Sequence, residues 1–310
     1  MSFTTTIKTE ITQNELDMCC QKAQLAALIQ MCSTLNMSSE GMFLVIKSEN
    51  PTTAKRCWKL LKDVYNVETQ LSVIKKMKLK KNNIYVIRVL NKAKDILMDL
   101  GILNDEGLQT HPKQSLFNKD CCIRAYLGGV FLAKGSCNSP TTSNYHLEIV
   151  ANTKELANFI IKKMNKYDLP AKYILRRSQH VVYLKQSDKI SDFLRCVGCS
   201  DALFAFEDQR IQRDFMNSFT RLDNCELANE MKILSSGKAQ LEDIEKIENY
   251  SGINALPKKL QEVAVLRKEL PEASLMDLCE EFHLRYGATI SKSGMRHRLA
   301  KIKDIASSYN

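Results

Sequence analysis

The chain has 310 residues, 44% of them apolar, with 45 Lys and Arg against 35 Asp and Glu and a formal net charge of +10. This content excludes a disordered chain, the length predicts two or three domains, and the basic balance points to a polyanion such as nucleic acid. No apolar run approaches the roughly 20 residues that span a bilayer. The first residues, "MSFTTTIKTE", lack the apolar core of a secretory signal. The eleven cysteines therefore read as reduced, mostly buried thiols, and the expected location is cytoplasmic.

In chain order, residues 19–33, "CCQKAQLAALIQMCS", form an apolar helix. A strand, "MFLVIKS" (42–48), and a helix, "TAKRCWKLLKDVY" (53–65), follow. Two strands come next, "QLSVIKKMKL" (70–79) and "NIYVIRVL" (83–90). A short helix over residues 95–100 stops at Gly101. The order then repeats. "CCIRAYLGGVFLAKGS" (121–136) is a helix, "YHLEIVA" (145–151) a strand, and "KELANFIIKKMNKY" (154–167) a helix with Leu156, Phe159, Ile160 and Met164 at helical spacing. "KYILRRS" (172–178) and "HVVYLKQ" (180–186) are strands, and "ISDFLRCVG" (190–198) closes the half.

The two leading helices share the pattern C-C-x-[KR]-A-x-L-[AG]-[AG]-apolar-apolar. Such a duplication predicts two half-domains that pack together, since neither covers both faces of its sheet alone. Glycine costs about 1 kcal/mol inside a helix. Ala26, Ala27, Gly128 and Gly129 are therefore expected where the two helices approach closely, at a pseudo-twofold axis.

Beyond about residue 214 the chain reads as all helix. Residues 224–234, "NCELANEMKIL", are helical, "SSG" (235–237) reads as a break, and residues 238–252 form a helix closed by Gly252. Pro257 opens another, with Leu260, Val263, Ala264, Arg267 and Leu270 on one stripe. Ser274 and Asp277 start a capping-box helix that presents Leu275, Leu278, Cys279 and Phe282. A connection over residues 283–290, longer than the usual turn, leads to "SKSGMRHRLAKIKDIA" (291–306). Ser291 or Ser293 caps this last helix, which buries Met295, Leu299 and Ile302. Lys292, Ser293, Arg296, His297 and Lys301 face outward and, with Arg298, are the candidate DNA contacts of a helix–turn–helix.

A second basic region lies on the repeated strands. Residues 69–94 hold no acid but include Lys75 and Lys76, and the matching hairpin holds Arg176 and Arg177. These suit phosphate contacts, though lysines that protect a sheet edge look the same. The lone Cys196-x-x-Cys199 lacks a second pair at zinc-site spacing, and the five histidines form no ligand motif.

The two helices resemble the LAGLIDADG motif of homing endonucleases, over "LAALIQMCS" (25–33) and "LGGVFLAKG" (127–135). The resemblance implies two acids at the eighth motif positions, holding divalent metals. Here those positions are Cys32 and Lys134. No catalytic residue, metal or cofactor is therefore expected, since Mg²⁺ needs hard oxygen ligands.

The whole chain resembles the WhiA family through "RAYLGGVFLAKGS", "YHLE", "NCELAN", "LPKKLQEVAVLR", "PEASLMDL" and "SKSGMRHRL". This implies an α+β fold: a duplicated LAGLIDADG-like αββαββα pseudo-dimer (1–105 and 106–215), then an all-α domain (216–310) similar to the promoter-reading region of sigma factors. It implies a sequence-specific DNA-binding transcription regulator tied to sporulation, cell division or chromosome segregation. Its partners would be double-stranded DNA and another transcription factor or RNA polymerase, and it would sit on the nucleoid. The duplication supplies a pseudo-dimer in one chain, so a monomer suffices. The rival readings are a nucleoid architectural protein, a nuclease with displaced acids, and a protein-binding adaptor.

Overall fold

The computed structural model describes residues 2–38, 41–75, 83–142 and 144–309. The chain divides into two compact units, Met1–Arg213 and Asp214–Asn310.

The first unit opens with helix α1 (Phe3–Gln13), followed by α2 (Met18–Cys32), β1 (Ser33–Ser38), β2 (Gly41–Ser48), α3 (Pro51–Tyr65), β3 (Thr69–Lys75), β4 (Asn83–Val89) and α4 (Ala93–Asp99). After a small hairpin, β5 (Leu103–Asn104) and β6 (Gly107–Leu108), the series recurs. It runs α5 (Asp120–Lys134), β7 (Gly135–Cys137), β8 (Leu147–Ala151), α6 (Lys154–Asn165), β9 (Lys172–Arg176), β10 (Gln179–Leu184) and α7 (Ser187–Cys196). The two four-stranded antiparallel sheets have matching orders, β1-β2-β4-β3 and β7-β8-β10-β9. Each half is thus αββαββα, as the repeat predicts.

Alternation decides which sheet face is covered. In β8, Leu147, Ile149 and Ala151 are buried while Glu148 and Val150 are not. Leu44 and Ile46 of β2 join the same apolar core, as do both motif helices. That core is shared by the two halves, so neither is independent of the other.

Close backbone approach explains only one glycine of the Gly-Gly pair. A Cβ on Gly129 would lie 2.6 Å from the Gln24 carbonyl oxygen and 2.8 Å from the Ala27 Cβ. Helices α2 and α5 therefore touch backbone to backbone there. Gly128 points elsewhere, with Ile11 of α1 3.3 Å from its Cβ position.

Besides the small β5–β6 hairpin, three elements escape the periodicity reading. Helix α1 is threonine-rich and a poor intrinsic helix former. It forms because Ser2 caps it and because Ile7 and Ile11 are buried. Strands β1 and β7 follow the motif helices directly; both are short, and four of the six residues of β1 are polar. Their pairing with β2 and β8 defines them.

The second unit has its own core of Ile244, Leu260, Val263, Leu278, Phe282, Met295, Leu299 and Ile302 among others. It contains the end of α8 (Ser200–Ser251), then α9 (Lys258–Glu269), α10 (Leu275–Tyr286) and α11 (Lys292–Ser307). The expected break at 235–237 does not occur, because α8 runs straight through it. Gly237 serves close packing instead: its Cβ position lies 2.6 Å from the Pro271 carbonyl oxygen.

The long connection before the last helix is also corrected. Helix α10 continues to Tyr286, so only residues 287–291 separate it from α11. Arg285 extends it by pairing with Glu281 at 2.7 Å and with Glu269, and the Tyr286 ring packs 4.9 Å from Phe282. Gly287, in the left-handed region at φ 63°, ends it.

Candidate nucleic-acid interface

The motif helices end side by side in a cleft of about 800 Å³ lined by Lys8, Lys47, Glu49, Cys32, Lys134 and Asn152, among others. Both eighth-position side chains line it. Lys134 Nζ donates to Asn152 Oδ1 at 2.6 Å, and Asn152 Nδ2 donates to the Gln30 carbonyl at 2.9 Å, which ties the two halves together. Burial pushes the Cys32 thiol up to about 11, and the charges of Lys134 and Lys8 only partly oppose it. Burial likewise pulls Lys8 down to about 8. A protonated thiol and an ammonium offer Mg²⁺ no hard oxygen at these positions. Three lysines against one glutamate make the cleft attractive to an anion. Lys8 and Lys47 escape sequence reading, because Lys8 lies on the unpredicted α1 and Lys47 at the end of an otherwise ordinary strand.

On the second sheet Arg176 is not free. Its Nη2 donates to Glu148 Oε2 at 2.8 Å, and His146 lies 3.1 Å from the same oxygen. Glu148 and Arg176 stand on the uncovered face of that sheet, so a carboxylate sits among the expected phosphate contacts. Arg177 and Ser178 form the two-residue turn of this hairpin, at φ 49° and 62°. Both central residues in the left-handed region are the mark of a type I′ turn, which matches the twist of the flanking strands. Lys75 ends β3, exposed and opposite Asn83. Lys76 lies outside the described residues.

Helix α11 carries the other set. Ser291 accepts from the Gly294 N–H at 3.1 Å and fixes where the helix starts. Met295, Leu299 and Ile302 are buried, as expected. Helical spacing then places Lys292 with Arg296, and Ser293 with His297 and Lys301, in two exposed rows. Arg298 turns inward: its guanidinium lies 5.1 Å from the Phe282 ring centroid and donates to the Lys259 carbonyl at 3.4 Å. Arg267, 2% exposed, holds the turn before α10 by donating from Nη1 to the carbonyls of Leu270, Pro271 and Ala273 at 3.2, 3.4 and 2.7 Å.

The fold is that of a LAGLIDADG-like pseudo-dimer lacking the motif acids, followed by a helix–turn–helix unit. Comparison with known proteins agrees. The WhiA N-terminal LAGLIDADG-like domain matches residues 18–103, the WhiA LAGLIDADG-like domain residues 123–216, and the WhiA C-terminal HTH domain residues 219–306. A "Probable cell division protein WhiA" of Bacillus cereus (strain B4264) is 44% identical over 307 residues, covering 99% of this chain and 96% of the relative. The same name and figures hold for Bacillus anthracis (strain CDC 684 / NRRL 3495). The crystal structure of full-length DUF199/WhiA from Thermatoga maritima superposes with a TM-score of 0.60 at 22% identity, covering 99% of each chain. The chain belongs to the WhiA family.

Proposed function

We propose that this protein is a sequence-specific DNA-binding transcription regulator acting in cell division, on a scaffold that no longer cleaves DNA. Helix α11 reads the major groove. Lys292 and Arg296 contact bases or phosphates, Ser293 and His297 flank them, and Lys301 contacts a phosphate. Arg298 positions the helix against α10. The observation that carries this reading is a capped helix with an apolar buried side and a continuous basic exposed side. The cleft at Cys32 and Lys134 holds a phosphate rather than a metal, and Lys75 and Arg177 add nonspecific contacts. Segments 1–105 and 106–215 supply affinity, segment 216–310 supplies sequence choice, and the protein works on the nucleoid as a monomer.

Genome-wide occupancy and footprinting test the assignment. Arg296→Ala is expected to weaken binding to its best site by about 1–3 kcal/mol and to relax base preference. Lys301→Ala is expected to weaken all sequences alike and to reduce the salt slope by about 1. Full-affinity, sharply selective binding by Arg296→Ala would remove α11 as the reading helix. Diffuse occupancy by the wild type would indicate an architectural protein. Nicking of supercoiled plasmid with Mg²⁺ or Mn²⁺ would refute the loss of cleavage.

A further inference from the structure

The opposite ends of the motif helices gather a second group of side chains. Cys19 and Cys20 are the second and third residues of α2, and Cys121 and Cys122 are the second and third residues of α5. Packing of α2 on α5 brings the four thiols together, with all Sγ atoms within 4.8 Å of one another. Cys20 and Cys122 are 4.0 Å apart across 102 residues of chain, and all eleven cysteines are free thiols. Four sulfurs at about 2.3 Å from a tetrahedral Zn²⁺ are about 3.8 Å from each other. The cluster therefore needs only a small contraction to close on one ion.

The positions of the thiols on their helices favour negative charge. Both pairs lie in the first turn of a helix, where backbone N–H groups lack intrahelical partners and the dipole favours negative charge. Cys20 and Cys122 are buried, Cys19 is half-buried and Cys121 is exposed. A cleft of about 570 Å³ lined by Cys20 and Cys121 provides a route for entry.

We propose that Cys19, Cys20, Cys121 and Cys122 form a structural zinc site that clasps the starts of the two motif helices across the pseudo-twofold axis. An all-sulfur donor set selects a soft or borderline cation over Mg²⁺ or Ca²⁺, and four protein ligands close the coordination sphere. The ion displaces the thiol protons to solvent on binding. The site is independent of the DNA-binding reading.

Full-length protein, purified reduced and metal-free, is titrated with Co²⁺ and then Zn²⁺. The expected result is roughly one equivalent of Co²⁺ bound with sulfur-to-cobalt charge transfer and the strong visible bands of a tetrahedral site, displaced by one equivalent of Zn²⁺. Zinc should also raise the thermal midpoint. Loss of an outer-shell partner costs about 10–100-fold in metal affinity, so loss of a ligand by Cys121→Ser or Cys19→Ser should cost at least about tenfold. Cys225→Ser, at an exposed cysteine on α8, should change nothing. Folded, reduced wild type that takes up neither metal would overturn the site. So would octahedral cobalt spectra, or Zn²⁺ affinity unchanged in both ligand variants. A Cys20–Cys122 disulfide in protein that binds no zinc once reduced would assign the cluster to thiol oxidation instead.

Discussion

Two desolvated cations, Arg267 fully buried and Lys8 partly so, show how a single side chain can set local properties. Arg267 gives one guanidinium nitrogen to three carbonyls in the turn that leads into α10. Burial lowers its pKa, yet the three acceptors stabilise the charge. Arg267→Ala would strand those carbonyls and is expected to destabilise the second unit by about 3 kcal/mol, read from urea unfolding. Lys8 tests the motif cleft in the same way. Its folded pKa is about 8 against an ordinary 10.5, so the unfolded chain binds more protons between those values and stability rises with pH there. Lys8→Met removes the partly desolvated charge. Its thermal-midpoint advantage over wild type should be largest near pH 7 and shrink toward pH 10. An advantage that does not change with pH would mean that Lys8 is not desolvated.

At the scale of elements, glycines within helices separate into two kinds. At Gly129 a methyl group would meet the Gln24 carbonyl and the Ala27 methyl, and neither belongs to a flexible side chain. Gly237 faces the Pro271 carbonyl in the same way. Overpacking costs of about 1–3 kcal/mol exceed the roughly 1 kcal/mol gained in helix propensity. Gly129→Ala and Gly237→Ala should therefore both lower the urea midpoint. Gly128 meets a side-chain methyl at 3.3 Å and no backbone atom, so Gly128→Ala should cost less than Gly129→Ala. This contrast was only half legible: the Gly-Gly pair marks a close approach, but only the packing shows which of its members makes it. The "SSG" stretch carried a misleading signal, because a glycine kept for close contact inside a helix has the same local signature as one that ends it.

For the whole molecule, the two hydrophobic cores predict separable roles. Residues 214–310 contain a complete core of their own. The isolated fragment is expected to fold and to keep the site preference of the full chain, with lower affinity and a shallower salt dependence, as measured by fluorescence anisotropy at several ionic strengths. A fragment that folds but has lost preference would place sequence reading in the LAGLIDADG-like half.

The amino-acid sequence by itself determined the duplication, the order of elements, the absence of acid at the eighth motif positions and the two faces of the last helix. These are matters of residue identity and of spacing within one element, and burial writes its period into the sequence. Tertiary structure alone decided that α1 is a helix, that Arg176 is engaged by Glu148 and Arg298 by α9 and α10, that Lys8 lines the motif cleft, and that four cysteines meet. The vicinal cysteines stood at matching places in both copies of the repeat, yet their convergence depends on how α2 crosses α5. Such contacts join residues far apart in the chain, where no local periodicity records the distance between side chains.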